Sequence, residues 1–129
     1  MSIVATTIDA ESVLATLRLA WSSRSSSQWL PDNPARGQCN VTAILLHDLY
    51  GAEILKTPLA AGDHFYNRIG NERIDLTAAQ FDAPIVYADI ASSREEAMAG
   101  TAEENYAAVK DAYVARRVRN QPALTAVTE

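Results

Sequence analysis

A chain of 129 residues sets a single domain, residues 1–129, as the expectation, long enough to bury roughly two-thirds of its unfolded surface without disulfides or a structural metal. Its 48% hydrophobic and 21% charged residues fit a soluble globular protein. The net charge of −5 argues against nucleic acid and anionic membranes as partners, because both are themselves negative.

The N-terminal stretch "MSIVATTIDAESV" lacks the positive start and long apolar run of a signal peptide. No segment reaches the ~18 apolar residues of a membrane-spanning helix. The one cysteine cannot form an internal disulfide and fits a reducing compartment. The expected location is the cytoplasm.

In chain order, Val13, Leu14, Leu17, Ala20 and Trp21 repeat at helical spacing over residues 10–21, with Asp9 as N-cap. "SSRSSSQ" (22–28) reads as a polar linker or mobile loop. Trp29 and Leu30 then argue that it docks on the domain. "PDNPARG" (31–37) is a strong irregular-loop signal. From Cys39 to Tyr50 the positions Val41, Ile44, Leu45 and Leu49 predict a buried helix, closed by Gly51. "EILKT" (53–57) alternates as a strand. "HFYNRI" (64–69), Gly70-Asn71 and "ERIDL" (72–76) read as a β-hairpin. Thr77–Gln80 has capping-box spacing and predicts a short helical turn. "PIVYADI" (84–90) reads as a further strand. Ser93-x-x-Glu96 and Thr101-x-x-Glu104 are capping boxes separated by Gly100. The second leads a helix to about Val118 with Tyr106, Val109 and Tyr113 on its stripe. Arg116, Arg117 and Arg119 follow Glu103, Glu104 and Asp111, and read as a solvated helix end. "NQPALTAVTE" reads as a frayed tail. The order predicts an α+β fold: an N-terminal helix, a central helix starting at the cysteine, a small antiparallel sheet with a hairpin, and a C-terminal helix.

Cys39 begins the central helix. A nucleophilic cysteine reacts as the thiolate, and free N–H groups in a first helical turn favour negative charge there. It also needs a base. Of the two histidines, His47 lies over two turns along the same helix, about 12 Å of rise, and reads as a helix-face residue. His64 opens a strand. If Gly70-Asn71 is a two-residue turn with Ile69 opposite Glu72, His64 falls opposite Thr77 and Tyr66 opposite Asp75. His64 and Asp75 are then same-face diagonal neighbours, and the carboxylate can orient the ring as the third member of a triad does. An oxyanion hole would use the Cys39 N–H and a side-chain amide, with Asn33, Gln28 and Gln38 as candidates and Gly37 allowing close backbone approach. On the residues alone, two alternatives stay open: a cysteine that is simply packed, and a metal site of Cys39, His64 and a carboxylate. The second lacks any ligand-pair spacing.

The blocks "NPARGQCNVTAILLHDLYGAEILKT", "GDHFYNRI" and "IDLTAAQF" closely resemble the YunG-like family of small uncharacterised bacterial proteins. The likeness spans about residues 29–81 and returns in "TAEENY". It implies that Cys39, His64 and Asp75 all fall in family motif blocks, and that His47 stands where the family often has glutamine. More distantly, the order of Cys at a helix start followed by His and Asp on neighbouring strands is similar to papain-like and transglutaminase-like cysteine enzymes. That likeness implies a minimal core of their type, with Asn33 and Gly37 at the offsets of an oxyanion amide and its glycine. The resulting expectation is a cysteine-dependent hydrolase or acyl transferase. It would act on an amide, isopeptide or ester in a small molecule or peptide, with Cys39, His64, Asp75, Asn33 and Gln28 as site residues and no cofactor. The alternative is a non-catalytic binding module that uses the Ser-rich loop and Trp29 as its contact surface.

Overall fold

The computed structural model describes residues 8–120, the side chains of 118–120 excepted. The predicted stripe residue Val118, Arg119 and the tail thus lie wholly or partly outside the described residues. The fold is α+β. Helices α1 (Ala10–Ala20), α2 (Cys39–Tyr50), α3 (Arg94–Ala99) and α4 (Glu103–Asn120) accompany strands β1 (Glu53–Leu59), β2 (Gly62–Ile69), β3 (Glu72–Ile74) and β4 (Ile90–Ala91). The strands form one antiparallel sheet in the order β3-β2-β1-β4.

Helices α1, α2 and α3 each have an end set by a local signal visible in the sequence. Asp9 caps α1 by accepting the Ser12 N–H, and Ser93 caps α3 by accepting the Glu96 N–H. Gly51 closes α2 with φ 71°, the left-handed conformation that glycine adopts without a Cβ clash. Val13, Leu17, Ile44, Leu45, Val109 and Tyr113 meet in the core, all of them buried. Polar ties fix the helices within it. Trp21 Nε1 donates to Thr42 Oγ1 at 2.9 Å, and the Tyr50 and Tyr113 hydroxyls share a hydrogen bond of 2.7 Å. Arg116 is exposed and Arg117 half-buried.

Strand β2 is buried on both faces. Phe65 and Ile69 belong to the core on the α2 side, where Asn67 Nδ2 donates to the Ala43 carbonyl. His64 and Tyr66 point to the other face, against the segment that follows β3. The hairpin register is the expected one as far as it runs, with Ile69 opposite Glu72 and Asn67 opposite Ile74, but the strand expected over 72–76 stops at Ile74, so the pairs Tyr66–Asp75 and His64–Thr77 do not form. Gly70, first of the two turn residues, takes φ 61°.

Two further expectations are corrected. The run 84–90 is a strand only at its end. Ile90 pairs with Lys56, but Asp89, which would face Thr57, turns to φ 52°, and beyond it Ala88 would face Pro58, which has no N–H. Ala88 and Asp89 instead donate their N–H groups to Thr57 Oγ1 and the Tyr66 hydroxyl. Thr101 does not cap α4. Its hydroxyl donates to the Ala97 carbonyl at the end of α3, and α4 begins two residues later. Of the two readings of the Ser-rich stretch, a mobile linker and a docked loop, the docked loop holds. Ser25 and Ser26 are buried, Ser25 Oγ accepts the Ser22 N–H, and Asn105 Nδ2 donates to the Arg24 carbonyl. No helix among the described residues is long and apolar enough to cross a membrane.

Candidate functional site

Cys39 is the first residue of α2 and is half-buried. Gln38, at the cap position, makes no side-chain capping bond, so no side chain neutralises the first N–H groups of the helix. The thiol donates to Asn40 Oδ1 at 3.1 Å, and Asn40 Nδ2 donates to the Ala97 carbonyl. Cys39 lines an open cleft of about 400 Å³ together with His64, Gln28, Asn40, Gln80 and Phe81.

His64 stands at the same end of β2 and is almost wholly buried, at 2% exposed. Its Nε2 donates to Asp75 Oδ2 at 2.7 Å. The ring is stacked on Tyr66 at 5.6 Å between centroids and met edge-on by Phe81 at 4.9 Å. The remaining ring nitrogen, Nδ1, is buried and has no hydrogen-bond partner in oxygen or nitrogen. Cys39 and His64 line the same cleft, and the Cys39 side chain acts on the ring. Burial alone would push the imidazole toward neutrality. The Asp75 hydrogen bond and charge, with a further contribution from Cys39, outweigh it and raise the ring to about 9.

Asp75 is held by more than the histidine. The chain leaves the β3 ladder after Ile74, and Asp75 Oδ1 accepts both the N–H and the hydroxyl of Thr77, at 3.2 and 3.3 Å. This is an Asx-type turn, in which a side-chain oxygen satisfies backbone two residues on. Oδ2 takes a second donor, the Tyr87 hydroxyl, at 2.7 Å. Burial works to raise the carboxyl, but His64, Tyr87 and the Thr77 N–H hold it below its ordinary 3.8. Burial and the neighbouring carboxylate push Tyr87 up, which keeps it a donor. Tyr87 is fixed in turn by Arg73 over its ring at 4.3 Å and by Tyr66 at 4.9 Å.

Of the five site residues read from the sequence, Cys39, His64, Asp75 and Gln28 gather at or next to this cleft. Asn33 does not. It lines a separate cleft beside Trp21, Pro34 and Leu76, because the 30–33 turn, closed by the Asn33 N–H on the Leu30 carbonyl, carries it to the α1 side. Gln38 is fully buried, with Nε2 toward the Ser22 carbonyl, and does not reach the cleft. Gly37 has φ 75°, and what approaches it closely is not open space for a substrate. A Cβ there would lie 2.3 Å from Ser26 Oγ and 2.9 Å from Gln28 Cβ. The same contact holds the Gln28 side chain near the start of α2. His47 is elsewhere, donating through Nδ1 to the Ala52 carbonyl at 2.9 Å. Trp29 packs against the core rather than presenting a free face. Among the described residues no group of three or more His, Cys, Asp or Glu side chains is placed to hold a metal ion.

Thr77, Gln80, Phe81 and Tyr87 were not among the residues singled out for the site. Asp75-x-Thr77 carries an Asx-turn signal that could have found Thr77. Tyr87 could not be found this way, since it sits in a stretch that reads as strand.

The matching family model, described as "YunG protein", covers residues 9–118. The chain belongs to the YunG family. A relative, the uncharacterised protein YunG of Bacillus subtilis strain 168, is 45% identical over 103 residues, which is 80% of this chain and 90% of that one. No solved structure matches the chain. The family match spans every residue of the cleft described above.

Proposed function

We propose that this YunG-family chain is a cysteine-dependent hydrolase or acyl transferase acting on an amide, isopeptide or ester. The observation that carries the reading is the buried His64–Asp75 pair. Its ring is anchored through Nε2, has Nδ1 unpaired, and lies next to a cleft-lining thiol at an uncapped helix start. A purely structural His–Asp pair gives no reason for a thiol to lie there. In the reactive state the Cys39 proton resides on His64. The thiolate sulfur bonds to the carbonyl carbon, the imidazolium gives its proton to the departing amine or alcohol, and a thioester remains. Water or an acceptor amine then attacks the thioester, His64 takes its proton, and the thiol leaves restored. Asp75 holds the ring and supports its charge. The Cys39 N–H and the Gln28 amide are the donors for the oxyanion. Papain-like and transglutaminase-like enzymes offer an analogy of arrangement for this scheme.

The test is acyl transfer from p-nitrophenyl acetate, followed by intact-protein and peptide mass spectrometry. The expected result is a burst of p-nitrophenolate with an acetyl group on Cys39, absent in Cys39→Ala and slowed in His64→Ala. An acetyl group only on lysines or the N-terminus would sink the proposal and favour the non-catalytic binding module. That module could still use the docked Ser-rich loop.

A further inference from the structure

The geometry points to Gln80 as a positioning residue for Cys39, acting through Gly37; the inference rests on the reading of Cys39 as nucleophile. The segment from Asp75 to Phe81 makes three contacts with two parts of the site, the His64 ring and the loop before α2. At its start Asp75 holds His64 Nε2 at 2.7 Å. At its end Phe81 meets the same ring edge-on. Between them Gln80 closes the 3₁₀ turn Ala78–Gln80 and reaches across to the loop before α2, where its Oε1 accepts the Gly37 N–H at 3.2 Å. Gly37 lies two residues before Cys39 and is itself clamped by Ser26 and Gln28. The bond therefore ties the backbone that carries the thiol to the short segment that carries the histidine's partner.

The other end of the Gln80 amide supports this reading. Nε2 is buried and has no hydrogen-bond partner. For packing alone, a Met of similar length would fill the space without burying an unpaired donor. The amide is accounted for by what its oxygen does at Gly37.

The experiment is iodoacetamide labelling of Cys39 from pH 5 to 10 in the wild type, Gln80→Met, His64→Ala and the double variant, with thermal melts alongside. Gln80→Met is expected to slow labelling at pH 7 by about tenfold while still melting in one cooperative transition. In the His64→Ala background the same substitution should change the rate by less than about twofold, because the juxtaposition it sets has lost its second member. The inference is overturned if Gln80→Met labels at the wild-type rate, or slows labelling by the same factor in both backgrounds. If His64→Ala itself has no effect, the nucleophile reading fails and this inference falls with it, whereas an effect of His64→Ala without one of Gln80→Met refutes this inference alone. Should Gln80→Met not fold, amide exchange in the wild type decides. The Gly37 N–H is expected to be protected, and exchange at the rate of an open peptide overturns the inference.

Discussion

Replacing Asp75 by asparagine keeps the shape of the side chain and removes its charge. In the wild type Oδ1 accepts the two Thr77 bonds, while Oδ2 accepts from His64 and from Tyr87. Asparagine can keep the Thr77 side, but it puts an NH₂ where two donors now converge. His64 must then change tautomer and Tyr87 loses its acceptor. Hydrogen bonds to charged groups contribute about 1.5–3 kcal/mol each and a neutral replacement about 1, so the net loss is about 2–4 kcal/mol. It depends on pH, and its sign follows from His64. The folded ring titrates near 9, above its ordinary 6.5. Its contribution to stability is therefore fully present below about 6.5 and is lost as pH rises through 9. At about 1.36 kcal/mol per unit the whole pH-dependent part is roughly 3 kcal/mol, most of it through Asp75, the larger of the two partners. Without the carboxylate, burial pulls the ring toward neutrality and that contribution disappears. Urea unfolding of the wild type and Asp75→Asn at pH 6 and pH 9.5 measures it. The gap between the two proteins should be large at pH 6 and shrink by about 2 kcal/mol or more at pH 9.5. A gap that stays the same at both pH values, or is under about 0.5 kcal/mol at pH 6, would refute the assignment of a charged His64–Asp75 pair.

Leu45 is fully buried on α2, so Leu45→Ala should lose about 2–5 kcal/mol in urea unfolding, and a loss below about 0.5 kcal/mol would contradict the packing of that helix. Gly37→Ala meets both a positive φ and the Ser26–Gln28 wall, so it should lower stability by about 1–3 kcal/mol in a thermal melt. Tyr87→Phe removes one donor to Asp75 and leaves Thr77 and His64 in place; it should cost about 1–3 kcal/mol in urea unfolding, and a loss under about 0.5 kcal/mol would contradict that bond.

The hairpin was readable in the sequence because two constraints agree. Gly70-Asn71 fixes a two-residue turn, and side-chain parity sets the register from Ile69 opposite Glu72 to Asn67 opposite Ile74; the paired strand ends there, and Asp75 reaches His64 from the Asx turn beyond it rather than from a ladder position opposite Tyr66. Cys39 at a helix start was readable because apolar spacing begins just after it and Gly51 ends it. What was not readable depends on contacts between distant segments. The fate of 84–89 turns on Pro58 in another strand and on the Thr57 and Tyr66 hydroxyls, which take the backbone donors a neighbouring strand would have taken. Thr101 fits a capping box by spacing, but the Ala97 carbonyl competes for its hydroxyl. Asn33 stands at a plausible offset from Cys39, yet a tight turn at 30–33 carries it to another cleft. Gln80 and Tyr87 reach the site only because the chain after β3 folds back over the His64 face of β2.

The most direct test of the central claim is the rate of Cys39 alkylation by iodoacetamide in the folded protein, followed by mass spectrometry as a function of pH. The account predicts that Cys39 reacts at neutral pH faster than a free cysteine thiol, and that the profile bends again near pH 9, where His64 loses its proton. His64→Ala should remove the bend and slow the neutral-pH reaction. A thiol that stays unmodified while the protein is folded, or that reacts at the rate of free cysteine and is indifferent to His64→Ala, would contradict it.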